Sequence, residues 1–208
     1  MYPDAFEIAV MAKAPQAGYA KTRLIPELGA GGAARLHRQL TSRTLATAVA
    51  AGLGPVTLWC APDAGHGFFR ALQRRYRIDL RPQPEVDLGQ RMAHIFDWAG
   101  KRPLLLIGTD CPALTTAHLQ QAAHALRSGH DAVFITTEDG GYFLVGLTQP
   151  CLGIFQDIDW STPRVMAQTR DRMSALRLSW HEVAMLWDVD HPQDLARWQA
   201  LKLAEAVE

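Results

Sequence analysis

Leu104-Leu105-Leu106-Ile107-Gly108-Thr109-Asp110-Cys111-Pro112 carries four consecutive large aliphatic residues and then, after a glycine and a threonine, a carboxylate. An unbroken apolar run of this length reads as a strand covered on both faces, which is the habit of parallel sheets. In open α/β sheets, ligands bind beyond the carboxyl ends of such strands. Asp110 therefore stands where a ligand or a metal ion would sit. The plainer alternative is that Asp110 only organises a turn before Pro112.

Working outward, short apolar runs alternate with longer amphipathic ones. Ile8 to Ala12, Val56 to Cys60, Ile78 to Arg81, Leu104 to Ile107, Ala132 to Ile135 and Tyr142 to Leu147 read as strands, and Ala184-Met185-Leu186 leads into Asp188. Helical spacing appears from about Ala33 to Ala51, with Leu36, Leu40 and Thr44 on one stripe. It recurs over Phe68 to Arg75, over Leu88 to Ala99, and after a cap at Thr115 or Thr116. Thr162-Pro163 reads as an N-cap and first-turn proline for a helix that turns Val165, Met166, Thr169 and Met173 inward. A last helix begins near Pro192 and packs Leu195, Trp198 and Leu201. This alternation predicts an α/β fold: a mainly parallel mixed sheet flanked by helices. No repeat or linker interrupts it, so residues 1–208 are expected to form a single domain.

The bulk composition narrows the classes. The 208 residues are 48% hydrophobic and 20% charged, ordinary for a globular protein. A chain of this length buries roughly 70% of its unfolded surface, so no disulfide or metal staple is needed. Formal net charge is +0, which gives no basic surface for nucleic acid. Arg70, Arg74, Arg75, Arg77 and Arg81 form a local cluster best read as a solvated helix face. Cys60, Cys111 and Cys151 lack CxxC spacing and fit reduced thiols. No stretch approaches a membrane span and no leader pattern opens the chain, so a cytoplasmic protein is expected.

Three further segments carry chemistry. The first strand empties into Lys13-Ala14-Pro15-Gln16-Ala17-Gly18-Tyr19-Ala20-Lys21-Thr22-Arg23-Leu24. Cations among small, glycine-broken residues beyond a strand end suit phosphate. Neither the P-loop nor the GxGxxG pattern is present, and a solvent-exposed basic loop is the alternative. Glu138-Asp139-Gly140-Gly141-Tyr142 allows positive φ or close ligand approach, or is simply a hairpin turn. In Asp188-Val189-Asp190-His191-Pro192, extended alternation sets both acids on one side, as a hard divalent cation requires. Helix capping is the alternative there.

Six motifs then occur in order: Lys21-Thr22-Arg23-Leu24, Asp87-Leu88-Gly89-Gln90-Arg91-Met92, Gly108-Thr109-Asp110-Cys111-Pro112, Asp139-Gly140-Gly141-Tyr142, Trp160-Ser161-Thr162-Pro163 and Asp188-Val189-Asp190-His191-Pro192-Gln193-Asp194-Leu195. Together they resemble the bacterial radical-SAM/selenodomain-associated transferase 1 family, within the nucleotide-diphospho-sugar transferase superfamily. The chain is similar also to 2-phospho-L-lactate guanylyltransferase and molybdenum-cofactor guanylyltransferase. The resemblance implies the Rossmann-like GT-A fold and a transferase acting on a nucleoside triphosphate or nucleotide sugar plus a small-molecule acceptor, with Mg²⁺ or Mn²⁺. It implies that Lys13, Lys21 and Arg23 contact phosphates and that Asp110 and Asp190 hold the metal. It also implies that Gly89 and Arg91 approach the nucleoside and that Gly140, Gly141 and Tyr142 line the acceptor side. Catalytic weight would fall on Asp110 and Lys21, with Asp139 as the base if the acceptor needs one. One departure is that Lys13 to Gly18 replaces the Gly-Gly-x-Gly loop of molybdenum-cofactor guanylyltransferase. Glycosyl and nucleotidyl transfer both fit these motifs. A nucleotide-binding or partner-binding module without catalysis is the alternative of another class.

Overall fold

Along the first strand, β1 (Glu7–Lys13), Ile8, Val10 and Ala12 join one apolar cluster and Ala9 joins another, and all four are buried. That double burial is what a central strand with helices on both faces produces. The computed structural model, which describes residues 6–205, shows how it arises. A seven-stranded sheet has the order β3-β2-β1-β4-β6-β5-β7. The other strands are β2 (Val56–Ala61), β3 (Asp79–Pro82), β4 (Leu104–Ile107), β5 (Ala132–Thr137), β6 (Tyr142–Leu147) and β7 (Trp180–Leu186). Strands β1 to β4 run parallel, as do β5 and β7, while β6 is antiparallel to both neighbours.

Helices α1 (Ile25–Ala50), α2 (Gly67–Tyr76) and α4 (Thr116–Arg127) cover one face, with Leu45, Phe69, Leu119 and Leu126 packed on Ile8, Leu58, Leu105 and Ile107. On the other face, Ile95 and Phe96 of α3 (Leu88–Ala99) and Met166 and Met173 of α5 (Val165–Ala175) pack on Leu104, Leu106, Phe134 and Val145. Each large side chain so buried contributes roughly 1.5–3 kcal/mol relative to exposure. A third, smaller cluster joins Leu24, Leu36 and Leu40 to Trp187, Val189 and Trp198, and thereby ties α6 (Asp194–Glu205) to α1.

Three local expectations are corrected. Helix α1 begins at Ile25, not near Ala33, because a short turn is joined to the main helix across a kink at Gly29 (φ 66°). Helix α5 begins at Val165, two residues beyond the expected first-turn proline; the Thr162 hydroxyl accepts from the Arg164 N–H just ahead of it and donates to the Asp159 carbonyl. The last strand runs back to Trp180, well before Ala184. Its His181, Glu182 and Val183 are only half-buried or exposed at the sheet edge, so no apolar run announces it. Among the described residues no helix is long and apolar enough to cross a membrane.

Candidate functional site

Strand β1 leads by crossovers to β2 and β3 on one side, while β4 lies on its other side. The gap beyond the carboxyl ends of β1 and β4 is therefore the switch point of the sheet, where ligands of such folds bind. A cavity of about 570 Å³ opens there. It is lined by Lys13 at the end of β1, Lys21 and Arg23 from beyond it, Asp110 from beyond β4, Arg91 from α3, Asp139 and Gly141 from the β5–β6 turn, Tyr142 at the start of β6, and Asp188 and Asp190 from beyond β7.

Asp110 is brought to Asp188 and Asp190 by one backbone contact. The Val189 N–H donates to the Asp110 carbonyl at 2.9 Å. Val189 itself is fully buried among Leu24, Trp187 and Trp198, so the acids on either side of it both line the cavity. Neither caps α6. Asp194, the first residue of that helix, reaches back instead, its Oδ2 accepting the N–H groups of Asp190 (3.0 Å) and His191 (2.7 Å). The capping alternative for Asp188 and Asp190 is thus set aside, and their side chains are free for other partners.

Lys21 dominates the electrostatics. Its ammonium lies 2.8 Å from Asp110 Oδ1 and 2.7 Å from Asp190 Oδ1, with the side chain only 4% exposed. Burial alone would lower the lysine pKa, but the two carboxylates outweigh it and hold the pKa above the usual lysine value. The converse holds for Asp110: burial would raise its pKa, yet the Lys21 ammonium pulls it below the ordinary range. Asp110 is still 43% exposed as a side chain although its Oδ1 is buried, so the second oxygen faces the cavity. Arg23, 58% exposed, reaches Asp190 Oδ2 at 3.4 Å. The pairing expected to hold a metal therefore holds an ammonium. Among the described residues, no group of three or more His, Cys, Asp or Glu is arranged to hold a metal ion. The chemistry of the donors fits a cation, but the point on which the carboxylates converge is taken.

The remaining predicted residues separate into groups. Gly141 and Tyr142 line the cavity, with Tyr142 packed edge-on against Phe134 and Trp160. Asp139 lines it too, but its Oδ1 accepts from the Thr137 hydroxyl (2.5 Å) and the Gly141 N–H (3.1 Å), so that oxygen organises the turn. Gly140 is not on the cavity wall. At φ 88°, with the Pro163 carbonyl 2.2 Å from where a Cβ would lie, it lets the turn dock on the segment before α5. Gly89 is also off the wall. A Cβ there would stand 2.7 Å from Trp160 Nε1 and 2.9 Å from the Phe155 carbonyl, so it serves packing rather than nucleoside approach. In the same motif Asp87 caps α3 through the Gln90 N–H. Arg91 lines the cavity while its Nε holds the Val86 carbonyl at 2.7 Å.

Two residues on the wall escaped the sequence reading. Gln83 is buried, and its amide nitrogen donates to the carbonyls of Ala12 (3.3 Å) and Trp59 (2.8 Å). Both amide protons are thereby used, and only the carbonyl oxygen is left to offer. His37 donates from Nε2 to the Lys13 carbonyl at 2.9 Å, which leaves Nδ1 as a buried lone pair without a partner, 3.9 Å from Asp110 Oδ1. Neither residue sits in a motif; each could have been found only as a polar residue inside or beside an apolar stretch. Asp188 was a weak candidate from sequence. Burial, then the neighbouring charges of Asp139 and Asp190, push its carboxyl up to about 6. Cys111, beside Asp110, is buried with its thiol pushed up to about 12, which rules it out as a nucleophile at neutral pH.

Comparison with known proteins places this cavity in context. No curated protein is detectably similar in sequence. A presumptive nucleotide-diphospho-sugar transferase from Desulfovibrio desulfuricans G20 has a crystal structure that superposes with a TM-score of 0.79 at 27% identity, covering 89% of this chain and 82% of that one. A nucleotidyl transferase from Methanothermobacter thermautotrophicus gives 0.65 at 14% identity, covering 96% and 99%. Rv0371c from Mycobacterium tuberculosis H37Rv, solved in complex with manganese, gives 0.56 at 16% identity, covering 93% and 97%. These likenesses establish the expected fold, that of the nucleotidyl and nucleotide-sugar transferases. A family described as uncharacterized proteins conserved in bacteria (DUF2064) matches residues 44–162, more than half of the 208, and the chain belongs to that family.

Proposed function

We propose that the cavity binds a nucleoside triphosphate and that the protein transfers a nucleoside monophosphate from it to a small phosphorylated acceptor, releasing pyrophosphate. The observation that carries this reading is the meeting of Lys13, Lys21 and Arg23 with Asp110 and Asp190 at the switch point of the sheet. Lys13, Arg23 and Lys21 would receive the phosphates, and their charge would be worth most where charge develops on the leaving pyrophosphate. The catalytic effect would come mainly from positioning and charge stabilisation.

The charge balance of the cavity supports a divalent ion as co-substrate. Lys13, Lys21, Arg23 and Arg91 are already matched by Asp110, Asp139, Asp188 and Asp190. A triphosphate adds several negative charges to a wall with none to spare. Asp110 and Asp190 are the residues that would hold Mg²⁺ or Mn²⁺, which would neutralise phosphate oxygens when bound.

Gln83 and Arg91 would read the base and Gly141 and Tyr142 would meet the acceptor; all four line the cavity. Should the acceptor present a hydroxyl, Asp188 is better suited than Asp139 to take its proton. Its carboxyl is shifted towards neutral pH, while one oxygen of Asp139 is bound into its own turn. Transfer of a sugar from a nucleotide sugar is the second reading, favoured by the description of the Desulfovibrio relative.

The deciding experiment incubates purified protein with each nucleoside triphosphate or nucleotide sugar, Mg²⁺ or Mn²⁺, and a panel of phosphorylated acceptors. Metal-dependent pyrophosphate release with one triphosphate supports nucleotidyl transfer. Nucleoside diphosphate release from a nucleotide sugar would replace it with glycosyl transfer. No turnover, with nucleotide still bound, would leave a binding module.

A further inference from the structure

We propose that Lys21 is the resident cation of the divalent-metal site, and that a metal ion enters only when this side chain is withdrawn. The proposal goes beyond the transferase reading, though it shares with it the assumption that Asp110 and Asp190 form a cation site.

The geometry is that of a filled cation position. One atom, Lys21 Nζ, lies 2.7 Å and 2.8 Å from an oxygen of each carboxylate. A magnesium ion would ask the same two oxygens to approach to about 2.0–2.1 Å, well under an ångström closer. That adjustment is within reach of two side chains, but not with an ammonium between them. Like charges at this separation repel strongly in a partly buried site, so ion and ammonium exclude one another.

Two independent features point the same way. His37 is 5% exposed, and its Nδ1, 3.9 Å from Asp110 Oδ1, is a buried lone pair with no donor. A lone pair facing a carboxylate oxygen is an arrangement made to surround a positive charge. In addition, Lys21 is held with φ 52° and ψ 48°, in the left-handed region that non-glycine residues avoid. Such a backbone is unfavourable for a residue with a Cβ and persists only where the surrounding structure offsets it. The double ion pair of the Lys21 side chain is a contact able to offset it. Gly18, at φ 86°, lies three residues earlier in the same loop.

Withdrawal needs another partner for the ammonium, and phosphate oxygens supply one. Metal entry and nucleotide entry would then be coupled: the free protein resists divalent ions, and the anion releases the site by taking Lys21 away. In this scheme Lys21 is first a surrogate for the metal and then a phosphate ligand.

The test uses Mn²⁺ alone, with no nucleotide, and follows free ion by electron paramagnetic resonance. Wild type, Lys21→Met and Lys21→Met/Asp110→Asn are titrated in parallel. The single variant should bind one Mn²⁺ at least about tenfold more tightly than wild type, and the double variant should lose that gain. Equal affinity in wild type and Lys21→Met would overturn the role given to Lys21 and leave the metal reading intact. Absence of binding in both would remove the carboxylate pair as a metal site, and the metal dependence of the transferase reading with it. If Lys21→Met folds poorly, its melting midpoint decides. Mn²⁺ should raise that midpoint over EDTA and leave wild type unmoved, whereas a midpoint indifferent to Mn²⁺ overturns the proposal.

Discussion

Asp188→Asn should stabilise the protein at neutral pH and leave it unchanged in acid. Asp188 is half-buried beside Asp139 and Asp190, and its carboxyl is raised from 3.8 to about 6. The folded state therefore prefers this group neutral, and ionisation in the fold carries a penalty that the unfolded chain does not feel. That penalty is absent below about pH 4, grows between about pH 4 and pH 6, and is complete above. A shift of about two units corresponds to ~3 kcal/mol. Solvent screening at a half-exposed group reduces this to ~1–1.5 kcal/mol. Asparagine keeps the shape of the protonated acid and removes the charge. The variant should match wild type near pH 4 and exceed it by ~1–1.5 kcal/mol at pH 7.5, which is ~3–5 °C in melting midpoint for a chain of this size. Urea unfolding at both pH values measures it. A difference between variant and wild type that is the same at pH 4 and pH 7.5 would refute the claim that burial, with the neighbouring Asp139 and Asp190, raises the Asp188 carboxyl.

Gly89→Ala should lower stability by ~1–3 kcal/mol, because the new methyl group meets Trp160 and the Phe155 carbonyl; a variant as stable as wild type by thermal melting would return Gly89 to the list of nucleoside contacts. Arg23→Ala should change stability by less than ~0.5 kcal/mol, since the side chain is 58% exposed and its pair with Asp190 is long. Its triphosphate affinity should fall roughly tenfold in low salt and by less in high salt, as titrations at two ionic strengths would show. Gln83→Met should cost ~1–2 kcal/mol by leaving the Ala12 and Trp59 carbonyls without their donor, and should flatten the preference among nucleotide bases in a binding panel.

The sequence was most legible where one physical pattern dominated. The run Leu104–Ile107 is buried on both faces, and an apolar stretch of this kind has few other uses. The stripe on α4, with Leu119, Ala122, Ala123 and Leu126 buried, follows from its 3.6-residue period. By contrast β7 is an edge strand with mixed burial, so its first half carries no periodic signal. At the site, residue types and strand ends located Lys21, Asp110 and Asp190, because charge after an apolar run is conspicuous. Which of them touch is a matter of tertiary geometry, and nothing in the spacing says that Lys21 would lie between the two carboxylates. Gly89 and Gly140 show the same limit. Both are glycines because something stands close by, but the sequence cannot tell a ligand from Trp160 or the Pro163 carbonyl. Gln83 and His37 act through single polar atoms buried against backbone, and such contacts leave no motif.

The most direct test of the nucleotide site is a calorimetric titration of wild type and Asp110→Asn with the four nucleoside triphosphates and common nucleotide sugars, each with Mn²⁺. One ligand should bind wild type at a single site, with Kd in about the micromolar range, and should lose most of that affinity in Asp110→Asn without loss of fold by circular dichroism. Failure of every ligand to bind wild type at millimolar concentration, or equal affinity for the variant, would contradict the assignment of this cavity to a metal-bound nucleotide.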